Sequence, residues 1–307
     1  MKRHEFLDRL DHLNVWKRAG QRAPHKPLLL LLALGRVLAG EPRLGGYRDD
    51  IDGPLGDLLD RFGPPRRAHH PELPFVHLCS DGLWEIPKHD PMTPRGAVDK
   101  RRLVERNVPG GLPQSVHALL QADRALVKQA AKRLLDGHFP ASLHDDIRRA
   151  VGIPRDAVLR DAAPARDPAF RRDVLRVYER RCAVCDFDVR LGNDPIGLEA
   201  AHIKWHAAGG PDAVPNGLAL CGFHHKAFDR GALGLTAAAG GDYVVLISSE
   251  VNGLSAPVRW LLDFHAKPLR RPQSPDYTPD PAFVDWHRRE VFRSPARAAP
   301  GEVGGDL

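Results

Sequence analysis

The sequence lacks any apolar segment long enough to cross a membrane. Its longest uninterrupted apolar run, residues 28–34, falls far short of the roughly 20 residues that a membrane-spanning helix needs. The N-terminus, Met-Lys-Arg-His-Glu, is not followed by the apolar core of a signal peptide either. From these absences we expect a soluble, cytoplasmic protein with no membrane partner.

Cysteine is scarce, which excludes a fold held together by many disulfides. The chain has four cysteines, and three of them lie close to histidines along the sequence. In a reducing compartment, such clusters are typical of metal ligands. Cys79 lies apart from the others, and we expect it to behave as a small buried hydrophobic residue.

The sequence also lacks a strong excess of charge of one sign. It has 45 Lys and Arg against 39 Asp and Glu, a net charge of +6. This excess favours a polyanionic partner only mildly. The N-terminal half has few aromatic residues, so the aromatic walls that usually enclose a flipped base are not prominent there.

The length of 307 residues suggests two domains. Residues 159–169 are rich in Ala, Pro and charge, which is typical of a linker. We therefore expect one domain at residues 1–158, a second at 170–297 and a disordered tail at 298–307. The expected fold class is α+β, with a mostly helical N-terminal domain and a C-terminal domain built from strands and helices.

Hydrophobic periodicity predicts the elements along the chain. The apolar run that follows Pro27 predicts a helix to about Leu38 at the centre of a domain core. Residues 75–78 and 83–86 predict two short strands joined by a turn. Further helices are predicted at residues 6–16, 55–62, 115–135, 141–151, 170–179 and 281–292, and a further strand at 243–248.

Two short motifs with the same spacing indicate a structural zinc site. Cys182 and Cys185 form a Cys-x-x-Cys pair, and Cys221 and His224 form a Cys-x-x-His pair. Three thiolates and one imidazole make a closed tetrahedral donor set, the usual form of structural zinc. A redox Cys-x-x-Cys is disfavoured, because the second pair matches it and no strand–helix unit precedes it.

Around these pairs lie candidate residues for phosphodiester hydrolysis, which needs activated water and relief of charge in the transition state. His202, in a segment with strand character, is the candidate general base because imidazole titrates near neutrality. Asn216 is expected to fix the loop that aims His202. His225 is expected to hold a catalytic metal ion, Mg²⁺ or Mn²⁺. Adjacent residues of a helix point about 100° apart, so His224 remains able to bind zinc.

The segments Cys-x-x-Cys, Glu-Ala-Ala-His-Ile, Asn-Gly-Leu-Ala-Leu-Cys and His-His-x-x-Phe-Asp, in this order, resemble the HNH endonucleases and their ββα-metal fold. The match covers roughly residues 171–236 and implies a metal-dependent DNA endonuclease. Many members have a metal-binding Asp directly before the first His, where this chain has Ala201. Glu199 lies on the same face of the strand and is the candidate to replace that Asp as a catalytic-metal ligand.

The N-terminal half resembles the sulfur-recognising domain of McrA-like type IV restriction endonucleases, which act on phosphorothioated DNA. The resemblance covers about residues 1–155. It lies in three short segments: His-Lys-Pro at 25–27 before the leucine run, Leu-Pro-Phe at 73–75, and Asp-Gly-Leu-Trp at 81–84.

This second resemblance implies which residues contact the modified phosphate. Leu73, Pro74 and His77 are expected to line an apolar pocket for the sulfur atom, and His25 and Lys26 to contact the phosphate. Sulfur is larger, softer and less strongly hydrated than oxygen. Apolar groups therefore hold it without leaving a polar group unpaired, whereas a phosphate oxygen in the same place would lose its hydration.

A basic loop lies close to this predicted pocket along the sequence. Its side chains are expected to bind phosphates on either side of the modified linkage. These side chains are Arg66, Arg67, His69 and His70. The expected partner is therefore double-stranded, phosphorothioate-modified DNA.

Two alternatives stay open from the sequence alone. The same nuclease could be joined to a reader of methylated or hydroxymethylated bases, which the low aromatic content disfavours. The chain could also be a zinc-containing DNA-binding regulator that does not cleave, which the intact set of His202, Asn216 and His225 disfavours. For an endonuclease, a homodimer would supply the two active centres of a double-strand cut.

Overall fold

The computed structural model describes residues 1–15, 20–87, 98–154 and 168–298. The chain divides into two compact units, Met1–Ala162 and Ala163–Leu307. Most of the predicted linker and nearly all of the predicted tail lie outside the described residues. Both helices and strands are present, so the predicted α+β class is confirmed.

The first unit is mostly helical. A short antiparallel pair of strands and a π-helical turn at Tyr47–Asp52 accompany its helices. The helices are α1 (Arg3–Asp11), α2 (His25–Ala39), α3 (Gly53–Phe62), α4 (Glu72–His77), α5 (Lys100–Glu105), α6 (Gln114–Ala122), α7 (Arg124–His138) and α8 (Ala141–Ala150), and the strands are β1 (Leu44–Gly46) and β2 (Pro109–Gly111).

Helix α2 forms the centre of this unit, as its apolar sequence predicts. Leu28, Leu29 and Leu31 are completely buried, and burial on several sides is expected of a helix that is apolar nearly all round. The helix ends at Gly40, whose φ of 73° lies in the left-handed region that glycine adopts without strain. It begins at His25 rather than at Pro27, which lies in the first turn, where proline is tolerated.

The prediction of two strands after residue 74 is wrong. The first lies mostly in α4, where Phe75 and Val76 are buried, and the second contributes only an isolated bridge between Glu85 and Gly111. Phe and Val favour strands because they pack well on a half-buried surface, and the core here offers that burial to a helix. Pro74 is compatible with the helix because it lies in the first turn.

Three further expectations for this unit need correction. The helix predicted at 115–135 is two helices, because the Asp123 side chain accepts hydrogen bonds from the backbone of Ala125 and Leu126 and so begins α7 afresh. The first helix ends at Asp11, before the predicted end at residue 16, which is outside the described residues. Cys79 is exposed, not buried, because it lies in the turn that follows α4.

The second unit is built from small antiparallel pairs of strands with helices packed on them. Its elements are α9 (Pro168–Val177), β3 (Arg190–Leu191), β4 (Asp194–Pro195), β5 (Leu198–His202), β6 (Gly217–Cys221), α10 (Gly222–Asp229), β7 (Leu233–Ala237), β8 (Tyr243–Ile247), α11 (Ala256–Leu262) and α12 (Pro281–Glu290). The strands pair as β3 with β4, β5 with β6 and β7 with β8.

The core of this unit brings α9 onto the β5–β6 pair. Val174 of α9 is buried, and so are Leu218 and Leu220 of β6. Gly217 allows this close packing, because a Cβ atom there would lie 2.4 Å from a methyl carbon of Val174. In the described part of the chain, no helix has the length and apolarity that a membrane crossing requires.

Candidate active site and metal centre

The two strands β5 and β6 and the helix α10 form a ββα unit. The strands pair so that Leu198 is opposite Cys221 and His202 is opposite Gly217. The helix begins directly after Cys221. This arrangement places the three predicted catalytic residues at the end of one strand, at the start of the other and on the helix.

His202 is held on two sides. Its ring stacks on Phe170 of α9, with 4.2 Å between the ring centroids and 15° between the planes. Its Nε2 atom lies 2.7 Å from Oδ1 of Asp212. The residue is only 7% exposed, so few orientations of the ring are possible.

Asn216 makes three hydrogen bonds within the loop between β5 and β6. Its Oδ1 accepts a hydrogen bond of 2.8 Å from the backbone N–H of Lys204, and its Nδ2 donates to the carbonyl oxygen of Lys204 at 3.0 Å. Nδ2 also donates to the carbonyl oxygen of Pro211 at 2.9 Å. The fully buried amide thus joins both ends of the loop that follows His202.

His225 lies between two carboxylates. Its Nδ1 atom is 2.5 Å from Oε2 of Glu199, and its Nε2 atom is 3.2 Å from Oδ2 of Asp229. Burial alone would lower the pKa of His225, but the charge and hydrogen bonds of Asp229 and Glu199 outweigh burial and raise this pKa to about 9. Trp205 in turn donates its indole N–H to Asp229 at 3.0 Å, which fixes that carboxylate.

The predicted zinc ligands come together. In the described part of the chain, Cys182, Cys185, Cys221 and His224 are the one group of three or more His, Cys, Asp or Glu side chains whose ligand atoms all lie within 4.8 Å of one another. Nδ1 of His224 lies 3.3 Å from the sulfur of Cys221 and 3.5 Å from that of Cys182. A zinc tetrahedron has ligand–ligand edges of about 3.5–3.8 Å, so these residues fit zinc.

Sequence reasoning missed three side chains of the nuclease site. Asp229 had a signal, since it follows His225 by four residues and so lies on the same face of α10. Asp212 and Phe170 had none, because the first lies in an irregular loop and the second lies on a helix far away along the chain. Their contacts with His202 depend on the tertiary fold.

In the first unit, His25 lies at the start of α2 beside the predicted basic loop. Burial, followed by the nearby charges of His69, His70 and Arg66, lowers the pKa of His25 to about 4, against the opposing effect of Glu72. The fold therefore brings these predicted phosphate-binding residues into one neighbourhood. Arg66, Arg67 and His70 are exposed in it.

The other predicted contact residues differ in exposure. Leu73 is 40% exposed, and His77 is exposed as well. They lie one helical turn apart on α4 and so share a face. Pro74 is buried. Lys26 is partly buried, and its Nζ lies 2.5 Å from Oδ2 of Asp81 and 2.7 Å from the carbonyl oxygen of Asn14.

Comparisons with known proteins match both halves. Residues 3–156 match the family described as ScoMcrA-like, DNA sulfur-binding domain, and residues 182–236 match the HNH endonuclease family. Both resemblances noted in the sequence are thereby confirmed. No curated protein sequence matches the chain.

Several solved structures are similar to half of the chain. The sulfur-binding domain of ScoMcrA complexed with phosphorothioated DNA is 24% identical, with 50% of this chain and 98% of that chain covered and a TM-score of 0.43. The corresponding domain of SprMcrA, also complexed with phosphorothioated DNA, is 26% identical, with 50% and 95% covered and a TM-score of 0.42. The type IV phosphorothioation-dependent restriction endonuclease ScoMcrA is 24% identical, with 50% and 30% covered and a TM-score of 0.39.

Proposed function

The chain belongs to the family of ScoMcrA-like DNA sulfur-binding domains, and from this premise we propose that it is a type IV restriction endonuclease that recognises phosphorothioated DNA and cleaves it. One observation carries the proposal: the sulfur-binding match and the HNH endonuclease match occur in the same chain. A reader alone would not cleave, and a nuclease alone would not be confined to modified DNA.

In the proposed reaction, His202 takes a proton from the water molecule that attacks the phosphorus atom. The new O–P bond forms as the bond to the leaving oxygen breaks. Stacking on Phe170 and burial support this role, because they hold the base in one orientation. Asn216 keeps the adjoining loop in place through its three hydrogen bonds.

His225 and Glu199 are the proposed ligands of the catalytic metal ion, Mg²⁺ or Mn²⁺. When bound, such an ion neutralises charge that develops on the phosphate. Oε2 of Glu199 lies 2.5 Å from Nδ1 of His225. This distance supports Glu199 as the replacement for the metal-binding Asp that many HNH endonucleases have at the position of Ala201. Asp229 is proposed to orient His225 from the buried side of the helix.

Zinc is proposed as the ion at the site formed by Cys182, Cys185, Cys221 and His224. Cys221 directly precedes α10 and His224 lies in the first turn of that helix, while Cys182 and Cys185 lie in the loop after α9. Their soft donors and their spacing support a structural role. The site would tie this loop to the ββα unit that carries the catalytic residues.

For the reader, we propose that the exposed face of α4 with Leu73 and His77 receives the sulfur atom. Pro74, which is buried, would support this face from beneath. Because the pKa of His25 is about 4, this side chain is neutral at pH 7 and would contact a phosphate as a hydrogen-bond donor. Lys26 would contribute to phosphate binding only if its ion pair with Asp81 opens or is shared.

The basic loop is proposed to bind the flanking phosphates. Arg66 and Arg67 are exposed, which leaves their guanidinium groups accessible to DNA. His69 lies 2.9 Å from Asp60 and His70 lies 2.8 Å from Glu72, so these two rings are positioned by carboxylates.

A binding experiment with the full chain tests the reader. The His202→Ala variant, whose residual cleavage should be too slow to affect a binding measurement, is titrated with one duplex in three forms: unmodified, and with a single phosphorothioate of either configuration. One stereoisomer should bind at least about tenfold more tightly than unmodified DNA at physiological salt, a difference of about 1.4 kcal/mol. Equal affinity for all three forms would contradict the proposal that this chain recognises the sulfur atom.

A matched pair of substitutions locates the contact. Leu73→Glu should abolish the preference for sulfur, because a carboxylate would face the anionic linkage. Leu254→Glu, at a leucine that is 92% exposed in the second unit, should leave the preference intact.

We also propose a homodimer as the form that makes double-strand cuts, to be tested by analytical ultracentrifugation with and without DNA.

A further inference from the structure

Asp212 lies in the irregular loop between β5 and β6, ten residues after His202. Its carboxylate oxygen is 2.7 Å from Nε2 of His202, and its side chain is 23% exposed while that of His202 is 7% exposed. A carboxylate only accepts hydrogen bonds, so this contact requires the proton of the imidazole to be on Nε2.

We propose that Asp212 is a positioning residue for His202, an inference that rests on the proposed role of His202 as the general base. With the proton of the neutral ring held on Nε2, the lone pair is on Nδ1. Nδ1 then takes the proton from the attacking water, the hydroxide oxygen bonds to phosphorus, and the bond to the leaving oxygen breaks, with that oxygen keeping the electron pair and taking a proton from solvent water. The ring carries a positive charge at that point, which the adjacent carboxylate of Asp212 stabilises.

The loop is constructed so that Asp212 reaches this position. Asn216 donates a hydrogen bond to the carbonyl oxygen of Pro211, the residue directly before Asp212. The backbone at Gly210 lies so close to Lys204 that a Cβ atom would be 1.9 Å from the Lys204 carbonyl oxygen. Asn216 thus acts on His202 through Asp212, because its buried amide holds the backbone that carries Asp212.

The surroundings of His202 favour this role over a purely structural ion pair. One face of the ring is covered by the apolar Phe170 ring, and His206 is the other ionisable ring near it, at 5.9 Å between centroids. Asp212 is therefore the acidic group that faces the ring in the contacts described. It is also separate from the four metal-ligating side chains of the cysteine cluster.

Nitrogen NMR of the full-length protein with ¹⁵N-labelled histidine tests the inference without any substrate. The His202 signals, assigned through their loss in His202→Ala, should show the tautomer with the proton on Nε2. In Asp212→Asn, the tautomer with the proton on Nδ1 should become populated, since an amide can also donate. A parent protein with the proton on Nδ1, or an unchanged tautomer in Asp212→Asn, would overturn the role of Asp212.

Single-turnover cleavage of phosphorothioated DNA gives the kinetic test. Asp212→Asn should lower the rate by between about 10-fold and about 10⁴-fold, the upper value being the loss for the aspartate of a Ser-His-Asp triad. The acid limb of its pH–rate profile should move to lower pH, because the protonated ring loses the carboxylate that stabilises it. The control Asp263→Asn, at an exposed carboxylate after α11, should keep the parent rate and profile.

The double variant His202→Ala, Asp212→Asn completes the kinetic test. It should be no slower than His202→Ala alone, because Asp212 acts through His202. Losses that add up would overturn the inference and indicate an independent task for Asp212. If the parent protein does not cleave phosphorothioated DNA at all, the proposed function fails, and the NMR result still decides whether Asp212 sets the tautomer of His202.

Discussion

A histidine ring has two nitrogens, and in the nuclease unit each proposed catalytic histidine has a carboxylate on at least one of them. His202 faces Asp212, and His225 faces both Glu199 and Asp229. Such partners fix the orientation of the ring and decide which nitrogen faces the substrate or the metal. The chemistry of this site therefore depends on pairs of residues.

The first prediction concerns His25 and the pH dependence of stability. The unfolded chain titrates near 6.5 at this residue, whereas burial first and the charges of His69 and His70 next lower the pKa in the folded protein to about 4. Between these values the unfolded chain binds the proton and the folded chain does not. The free energy of unfolding should therefore fall as the pH is lowered from about 6.5 to about 4, by up to about 3 kcal/mol.

Urea denaturation of the parent and of His25→Asn over this pH range measures the effect. The variant should lose less stability on acidification, because it lacks the group that titrates. If both proteins lose stability equally between pH 6.5 and pH 4, His25 is not the residue that carries this part of the pH dependence.

The sequence predicts individual functional residues best where their spacing is typical of one kind of site. The pairs Cys182 with Cys185 and Cys221 with His224 indicate a metal site by their two-residue gaps, and the structure brings the four side chains together. Asp212 could not be found in this way, since nothing in its position in an irregular loop indicates that it contacts His202.

At the scale of elements, α2 and the end of α8 approach each other very closely. A Cβ atom on Gly35 would lie 1.8 Å from the carbonyl oxygen of Val151, a backbone atom that cannot rotate away. Gly56 of α3 lies in a helix as well, but apart from its chain neighbours and the backbone of its own helix, no atom of the described residues lies within 4 Å of the corresponding Cβ position. The two glycines therefore form a matched pair for a test of packing.

The second prediction uses this pair. Gly35→Ala should lower the free energy of unfolding by about 1–3 kcal/mol, because the added methyl group forces α2 and the Val151 backbone apart. Gly56→Ala should raise it by about 0.5–1 kcal/mol, since alanine favours a helix more than glycine does. Chemical denaturation measures both. A Gly35→Ala protein as stable as the parent would contradict the close approach of these elements.

The third prediction concerns the tie between the loop after α9 and α10. Cys182→Ser should release zinc and lower the melting temperature sharply, because a structural zinc ion contributes directly to the folding free energy. Cys79→Ser, which changes an exposed cysteine outside the cluster, should retain both. Metal analysis and thermal denaturation provide the two readouts. Folded Cys182→Ser protein with a full complement of zinc would contradict the ligand assignment.

Elements were predictable where length and periodicity agree, and less so where they are short. The leucine-rich α2 and the strand at Tyr243–Ile247 appear as expected. The segment around Phe75 and Val76 is too short for periodicity to distinguish a helix from a strand. Both side chains are buried in the core as part of the helix α4. The break at Asp123 depends on a helix N-cap. The helical periodicity of apolar residues continues across this position, so the pattern does not reveal the break.

At the scale of the whole molecule, one chain carries a DNA sulfur-binding domain and an HNH endonuclease domain. Joining two modules raises the effective concentration of the second wherever the first has bound. The modest net charge of +6 fits this arrangement, because a weak general attraction to DNA leaves the modification to decide where the nuclease acts. In the proposed function, the reader would limit cleavage to modified DNA, which an unguided nuclease could not do.

Digestion of matched plasmids tests this central claim most directly. Two plasmids of identical sequence, one with backbone phosphorothioates and one without, are incubated with the full-length protein and Mg²⁺ or Mn²⁺, and a methylated plasmid of the same sequence is included. The account predicts cleavage of the phosphorothioated plasmid and survival of the other two. Equal cleavage of all three plasmids, or cleavage of the methylated plasmid alone, would contradict it.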